Sequence, residues 1–237
     1  GSRVWKMDKL VAHLTAIKMG TRQEIVTDIL RKAILGGVIA PGTKLNETSL
    51  ANQLNVSRGP LREAIRELVQ SGLLETRSYA GARVCKPDLI YVTELYQVRK
   101  PLEKLAYELI WDNRDTDFAE ELRCRYEKLE QLSEVASQWQ QVQAEIEFHS
   151  LVFERCGNAI LLATWSNIAD RLALSFVAHQ QALIPQNELS SAHNSFVDLA
   201  LDGDLQAMHD EIESHLSRGK ELAQRAFETD GELAARS

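Results

Sequence analysis

One stretch constrains this chain more than any other: LNETSLANQLNVSRGPLREAIRELVQSGLLE, from Leu45 to Glu75. It reads as two helices joined by a tight turn, the first from about Glu47 to Leu54 and the second from about Pro60 to Gln70. Ser57 supplies a hydroxyl N-cap for the second helix, and Pro60 fits its first turn, where a missing N–H breaks no hydrogen bond. Arg58 and Arg62 stand four apart and share one face at the helix start, and Arg66 extends that face by a turn. Ser71-Gly72 ends the helix. Upstream, Ile25, Ile29 and Ala33 with Val26, Leu30 and Ile34 mark one apolar stripe over Thr21 to Leu35; Gly36-Gly37 stops it and Pro41-Gly42 turns the chain. Downstream, Leu73 to Arg77 and Ala82 to Cys85 flank Ser78-Tyr79-Ala80-Gly81, the pattern of a β-hairpin. Three helices followed by a hairpin predict a winged helix-turn-helix.

The side chains on that unit suit DNA. An arginine can donate two hydrogen bonds to guanine O6 and N7, which makes Arg58 and Arg62 candidate base readers. Arg66 faces the phosphate backbone or a glutamate partner. The free N–H groups at the helix start, around Ser57 and Pro60, can hold a phosphate. Glu47, Thr48 and Ser49 open the preceding helix, where short polar side chains can fix register on phosphates. Tyr79 to Gly81 at the wing tip can enter a minor groove, with Gly81 allowing close backbone approach. The plain structural explanation is a surface helix in which Arg62 and Arg66 pair with the interleaved Glu63 and Glu67.

Charge divides the chain in the same sense. Residues 1–20 carry +3, residues 21–87 carry +4 and residues 88–237 carry −14, giving −7 overall. A basic front and an acidic rear suit a DNA-facing module joined to something that does not meet DNA. With 44% hydrophobic and 26% charged residues the composition is that of a globular chain. No apolar run approaches the roughly 18–20 residues of a membrane span, and no signal-peptide pattern opens the chain. Gly1-Ser2, without an initiating Met, reads as a cloning remnant. Cys85, Cys124 and Cys156 form no CxxC pair and suit reduced thiols in a cytoplasmic protein, so any metal site has to use histidine and carboxylate.

After Pro87-Asp88 nothing reads as strand. Helices are expected near residues 88–111, 116–136, 139–155, 159–184, 189–201 and 204–228. The breaks fall at Asn113-Arg114-Asp115, Gln138, Gly157-Asn158, Pro185-Gln186-Asn187 and Asp202-Gly203. The fold class is therefore mainly α: a winged helix-turn-helix with a small β-hairpin, then an antiparallel bundle of about six helices.

Within that bundle Glu145 and His149 stand one i,i+4 step apart, on the stripe Val142, Ile146, His149, Phe153. His193 precedes Phe196, Val197 and Ala200; His215 stands with Met208, Ile212 and Leu216. Both lie on apolar faces. They flank the Asp202-Gly203 turn at roughly 15 and 18 Å from it, hence at similar height. One carboxylate and three imidazoles converging in a bundle core would suit divalent Zn, Ni, Mn or Fe with one or two positions open. Each histidine taken singly is equally a satisfied core residue. His13, His179 and His209 share no such pattern and read as surface or packing residues.

The chain resembles the GntR-type transcription regulators. In the front part the match is carried by PGTKL (Pro41 to Leu45), LANQLNVSRGPLREAIREL (Leu50 to Leu68), SGLLE (Ser71 to Glu75) and GARV (Gly81 to Val84). Members usually have Thr-Pro or Thr-Thr after the Ser/Thr-Arg pair, where Gly59 opens this chain's version, and often an arginine at the position of Thr48. In the rear part LYQVRKPLEKLA (Leu95 to Ala106), EIEFHSLVFERCGNAIL (Glu145 to Leu161), AHNSFVDLALDGD (Ala192 to Asp204) and His215-Leu216 are similar to the ligand-binding domain of the FadR-type branch. Six helices rather than seven point to its VanR-like subgroup. The resemblance implies a divalent metal held by Glu145, His149, His193 and His215, with Glu145 where the family usually has Asp. It also implies a small organic acid as effector. Arg99 is the cation placed against its carboxylate, with an i,i+4 salt bridge to Glu103 as the alternative role, and Asn158 is read as a helix cap.

The expected organisation is an N-terminal extension over residues 1–20, a winged helix-turn-helix over 21–86, a helical effector- and metal-binding domain over 87–230 and a tail over 231–237. The expected function is a bacterial, homodimeric, DNA-binding regulator, more often a repressor, that binds palindromic operator DNA under control of the acid. Two alternatives stay open at this point: a regulator whose signal is the metal ion itself, and a metalloenzyme using the same His/Glu site.

Overall fold

The first helix, α1 (Arg22–Leu35), starts on a capping box: the Thr21 hydroxyl accepts from the Glu24 N–H, and the Glu24 carboxylate accepts from the Thr21 N–H at 2.8 Å. Its buried stripe, Val26, Ile29, Leu30, Ala33 and Ile34, packs on α3 (Arg58–Gln70), whose inward residues are Leu61, Ala64, Ile65 and Leu68. Between them α2 (Glu47–Gln53) starts on Asn46, whose side chain accepts from the Ser49 N–H. It ends in a Schellman turn: Asn55 takes φ 51°, its N–H bonds the Asn52 carbonyl, and the Val56 N–H bonds the Ala51 carbonyl. That turn re-aims the chain into α3. The end of α3 repeats the device with Gly72 at φ 79°, the Leu73 N–H bonding Leu68 and the Gly72 N–H bonding Val69. The computed structural model describes residues 20–77, 81–135, 138–178 and 186–235. The expected arm or helix over 3–19 with His13, the wing-tip residues Tyr79 and Ala80, and the stretch 179–185 with His179 lie outside the described residues.

The hairpin forms as β1 (Leu74–Arg77) and β2 (Gly81–Val84), antiparallel, with Leu74 opposite Val84 and Arg77 opposite Gly81. A third segment lies along β2: the Gly42 N–H bonds Val84, the Val84 N–H bonds Thr43 and the Leu45 N–H bonds Ala82. From sequence this stretch reads only as a turn, because so short a pairing shows no alternating pattern.

The residue contacts divide the chain between Pro87 and Asp88. The second unit contains α4 (Leu89–Ile110), a 3-10 turn (Trp111–Asn113), α5 (Thr116–Val135), α6 (Gln138–Arg155), α7 (Ala159–Ala178), α8 (Gln186–Asp202) and α9 (Leu205–Ala235). Packing closes these helices into a ring in the order α4, α9, α8, α5, α6, α7 and back to α4, with α4 also touching α6. The interior is rich in aromatics: Phe118, Phe148, Phe153, Trp165 and Phe196 are all at most 2% exposed. Phe153 stacks on Trp165 at 4.3 Å and joins α6 to α7. Arg114 donates to the Ala200 carbonyl and lies 3.4 Å over the Trp111 ring, pinning the end of α4 to α8.

Several boundaries moved. α6 begins at Gln138, expected as a break, and α8 begins three residues early, at Gln186. α9 runs to Ala235 rather than 228; Gly231 costs a helix only about 1 kcal/mol, and Glu, Leu and Ala after it are strong helix formers. α7 overturns the expectation that no segment has the length and apolarity of a membrane span, with a mean hydropathy of 1.2. Half of that window is buried, and Leu161, Trp165, Ile168 and Leu172 belong to the bundle core, which accounts for its composition.

Candidate nucleic-acid interface and metal centre

α3 starts two residues before Pro60, so that Arg58 is its first residue and Pro60 its third. This changes the role expected of Ser57. It holds the N-cap position, but its hydroxyl makes no cap hydrogen bond. The cap bond goes to the N–H of the second or third helical residue, and the third is Pro60, which has none. The N–H groups of Arg58 and Gly59, the first two helical residues, have no partner within the helix and stand at its positive end. Gly59 is exposed, and a Cβ built there meets nothing within 4 Å. The space therefore admits the threonine that the family resemblance leads one to expect.

Arg58, Arg62 and Arg66 are exposed on α3, and Thr48 and Ser49 are exposed on α2. The alternative of intrahelical Arg–Glu pairs does not describe Arg62 and Glu67. Glu67 turns instead to α1, accepting from Thr27 and Gln23 with Arg31 at 3.9 Å. Arg62 bonds Glu47 across the turn at 3.0 Å. Glu47, expected at the phosphate backbone where α2 begins, accepts from Arg62 in this structure. Gly81 opens β2 with φ 79°, a conformation that favours glycine, and is exposed.

In the bundle, α6, α8 and α9 bring Glu145, His149, His193 and His215 together, with one ligand atom from each inside a sphere of mutual distances up to 4.8 Å. Glu145 lies 3.2 Å from His149 Nε2 and 3.3 Å from His193 Nε2, and His149 Nε2 lies 3.2 Å from His215 Nε2. The predicted common height of His193 and His215 holds: their ring centroids are 4.6 Å apart. Phe148 and Phe196 wall the cluster, with centroids 5.0–5.4 Å from the imidazoles. The three histidines are at most 7% exposed.

The donors fit a divalent ion. Atoms held about 2.1 Å from one centre at tetrahedral angles are about 3.4 Å apart, close to the three separations above. Burial pushes the His215 pKa well below its usual value, and the neighbouring His193 and His149 add to this, so its ring stays neutral with a lone pair to give. Burial pushes the Glu145 carboxyl up, but His193 and His149 more than offset it and hold the group well below the usual carboxylate range. Neutral imidazoles and an ionised carboxylate are the forms that bind a metal.

Arg99 on α4 is 3% exposed and bonds Glu103 at 3.0 Å, so the expected i,i+4 salt bridge forms. Its Nη2 is buried without a hydrogen-bond partner. Burial alone would lower its pKa; Glu103 and Tyr96 raise it instead. Tyr96, whose ring lies 5.8 Å from the guanidinium carbon, is pushed up to about 12, by burial first. Glu103 has a second partner that no sequence pattern signals: its other oxygen lies 2.7 Å from His149 Nδ1, 46 residues away. No spacing rule links residues so far apart. Asn158 caps α7, its side chain accepting from the Ile160 and Leu161 N–H groups. Cys85, Cys124 and Cys156 form no disulfide.

Comparison with known proteins agrees with this geometry. Residues 22–84 match the gntR family of bacterial regulatory proteins, and residues 94–218 match the FCD domain. The chain is similar to a probable D-xylose utilization operon transcriptional repressor of Paenarthrobacter nicotinovorans, 29% identical over 89% of this chain and 91% of that one. It is also similar to the uncharacterized HTH-type transcriptional regulator YdhC of Bacillus subtilis, 42% identical over 37% of this chain and 39% of that protein. Its fold is that of Escherichia coli McbR/YncC, with a TM-score of 0.77, 21% identity and coverage of 88% of this chain and 100% of the other. The family and these relatives are regulators, and the enzyme alternative falls with them. A winged helix-turn-helix with exposed arginines, followed by an all-helical FCD domain around a His/Glu cluster, places this chain in the GntR family of DNA-binding transcriptional regulators.

Proposed function

We propose that this regulator is a homodimeric, cytoplasmic repressor that holds a palindromic operator through α3 and the wing, and lets go when a small organic acid enters the metal-holding bundle. The observation that carries the reading is the convergence of Glu145, His149, His193 and His215 within 4.8 Å of one another, in the same bundle as a buried arginine with an unpaired donor. A divalent ion bound there would supply positive charge and open positions for an anionic oxygen. Arg99 would orient the acid's carboxylate through Nη2, while Phe148 and Phe196 exclude water and strengthen both attractions. The six-helix bundle supports the VanR-like subgroup, and the relative named as a probable repressor supports the sign.

On the DNA side, Arg58 and Arg62 read base edges, with Glu47 orienting Arg62. The orphan N–H groups beside Ser57 and Pro60 take a phosphate, Thr48 and Arg66 contact the backbone, and Gly81 brings the wing close to the groove. Val98, Leu105 and Leu109, spaced along one face of α4, are 50%, 39% and 41% exposed. An apolar stripe of this kind supports pairing with a second copy, as a palindromic operator requires. The acid acts only as far as it prefers one dimer geometry over the other.

Fluorescence anisotropy on an operator selected from random DNA, at fixed moderate salt, tests the reading. Carboxylic acids are expected to release the DNA, and chelator to abolish the response. Absence of operator binding at any salt concentration sinks it. A second reading, a sensor of the ion itself, is favoured by one feature: four donors already complete a tetrahedral set without an effector. Release by metal alone, with no effect of any acid, selects that reading.

A further inference from the structure

Glu103 is completely buried and stands outside the four-donor cluster. Its two oxygens face two different groups: one lies 2.7 Å from His149 Nδ1, the other accepts from Arg99 Nε at 3.0 Å. Arginine is a donor only, and a carboxylate accepts on both sides at once. Acceptance from His149 puts the ring hydrogen on Nδ1 and leaves the lone pair on Nε2, the nitrogen that faces Glu145 and His215. The same carboxylate holds Arg99 with Nη2 still unpaired.

We propose that Glu103 is a positioning residue that couples the two halves of this site, fixing the metal-binding tautomer of His149 with one oxygen and the anion-facing guanidinium of Arg99 with the other. The inference rests on the metal-dependent effector reading above. Its physical content is a matter of acceptors. Glu103→Gln keeps the shape but replaces one acceptor with a donor. When the amide oxygen serves Arg99, the NH₂ group meets His149 Nδ1 and demands its lone pair. The ring hydrogen then moves to Nε2 and closes that nitrogen to a metal. Partners of this kind behind a metal-binding histidine are worth about 10–100-fold in metal affinity. Glu103→Asp keeps both acceptors on a stem one carbon shorter and recovers part of the loss.

Two measurements on the full chain test this. Long-range ¹H–¹⁵N correlation spectra of the metal-free wild type, at alkaline pH where His149 is neutral, are expected to show hydrogen on Nδ1; hydrogen on Nε2 overturns the proposal. Zn²⁺ titration against a chromophoric chelator is expected to show Glu103→Gln weaker by about 10–100-fold and Glu103→Asp between it and wild type. Equal affinity for wild type and Glu103→Gln also overturns it. Should Glu103→Gln fail to fold, Glu103→Asp and the wild-type tautomer carry the test. A wild type that binds no Zn²⁺ removes the metal reading instead, and the tautomer then still decides whether Glu103 holds His149.

Discussion

The two functional regions of this regulator are built on opposite principles. On α3 the working side chains, Arg58, Arg62 and Arg66, are exposed, and the helix N-terminus keeps unsatisfied N–H groups. In the bundle the working side chains are buried and committed to one another, from Arg99 through Glu103 and His149 to Glu145 and His193. The difference matches the proposed guests. A polyanion the size of an operator can only be met at a surface, where screening makes each contact modest and salt-dependent. A single ion or small acid can be enclosed, and enclosure makes each charge count for more. Substitutions on the exposed face of the head are therefore expected to change specificity more than stability, and those in the buried bundle the reverse.

The first way to break that comparison is Phe196→Ala. Its ring is 1% exposed and touches His149 and His215, so truncation is expected to cost about 3–5 kcal/mol in the melting of the bundle and to weaken Zn²⁺ binding. An unchanged melt would mean that the walls of the cluster are not holding it. Next in size is His193→Ala, expected to weaken Zn²⁺ binding in calorimetric titration by more than the roughly 10–100-fold that loss of an outer-shell partner costs, while leaving metal-free operator affinity intact. Loss of operator binding in the absence of metal and acid would show that the ion is structural.

Arg58→Ala and Arg62→Ala are each expected to cost about 1–3 kcal/mol of operator discrimination with little change in melting temperature. A competition assay against scrambled DNA reads this directly, and a uniform loss on all sequences would reassign either residue to phosphate.

A pH series sharpens the contrast further. Burial would lower the His149 pKa, but Glu103 more than offsets it and raises it above 6.5. A proton therefore competes with the metal up to that raised value, and Zn²⁺ affinity should fall on acidification by up to about tenfold per pH unit for each proton displaced. Without metal the stability effects oppose. The raised His149 adds stability that is full below about pH 6.5 and is lost as pH rises through its folded value. The lowered His215 stays neutral in the native state while the unfolded chain takes up a proton, so it costs stability as pH falls below about 6.5. His215→Gln should flatten that acid limb in thermal melts. The smallest effect is reserved for Gly59→Thr, expected to change stability by less than about 0.5 kcal/mol, since the site is open, while shifting the preferred operator sequence in a selection from random DNA.

Legibility differed between the regions for a physical reason. The recognition unit is local: cap, turn and arginine spacing all fall between Leu45 and Glu75, and helical periodicity carries them without reference to the rest of the chain. Even so, the sequence puts the start of α3 at Pro60, because proline is most common at the first helical position, whereas here it is the third. The His/Glu cluster was legible in part, because Glu145 and His149 share a helix and His193 and His215 flank one short turn. The link from Glu103 to His149 was not, because it joins α4 to α6 across the bundle core.

By itself the sequence determined that this chain carries a DNA-reading head and an acidic helical rear with inward histidines, since both rest on spacing along single helices or adjacent ones. Only the tertiary structure decided which carboxylate stands behind which imidazole, that Glu47 pairs with Arg62, and that Arg99 is buried with a donor to spare. Those outcomes depend on which helices pack side by side, and packing is settled by the whole core rather than by any segment of it.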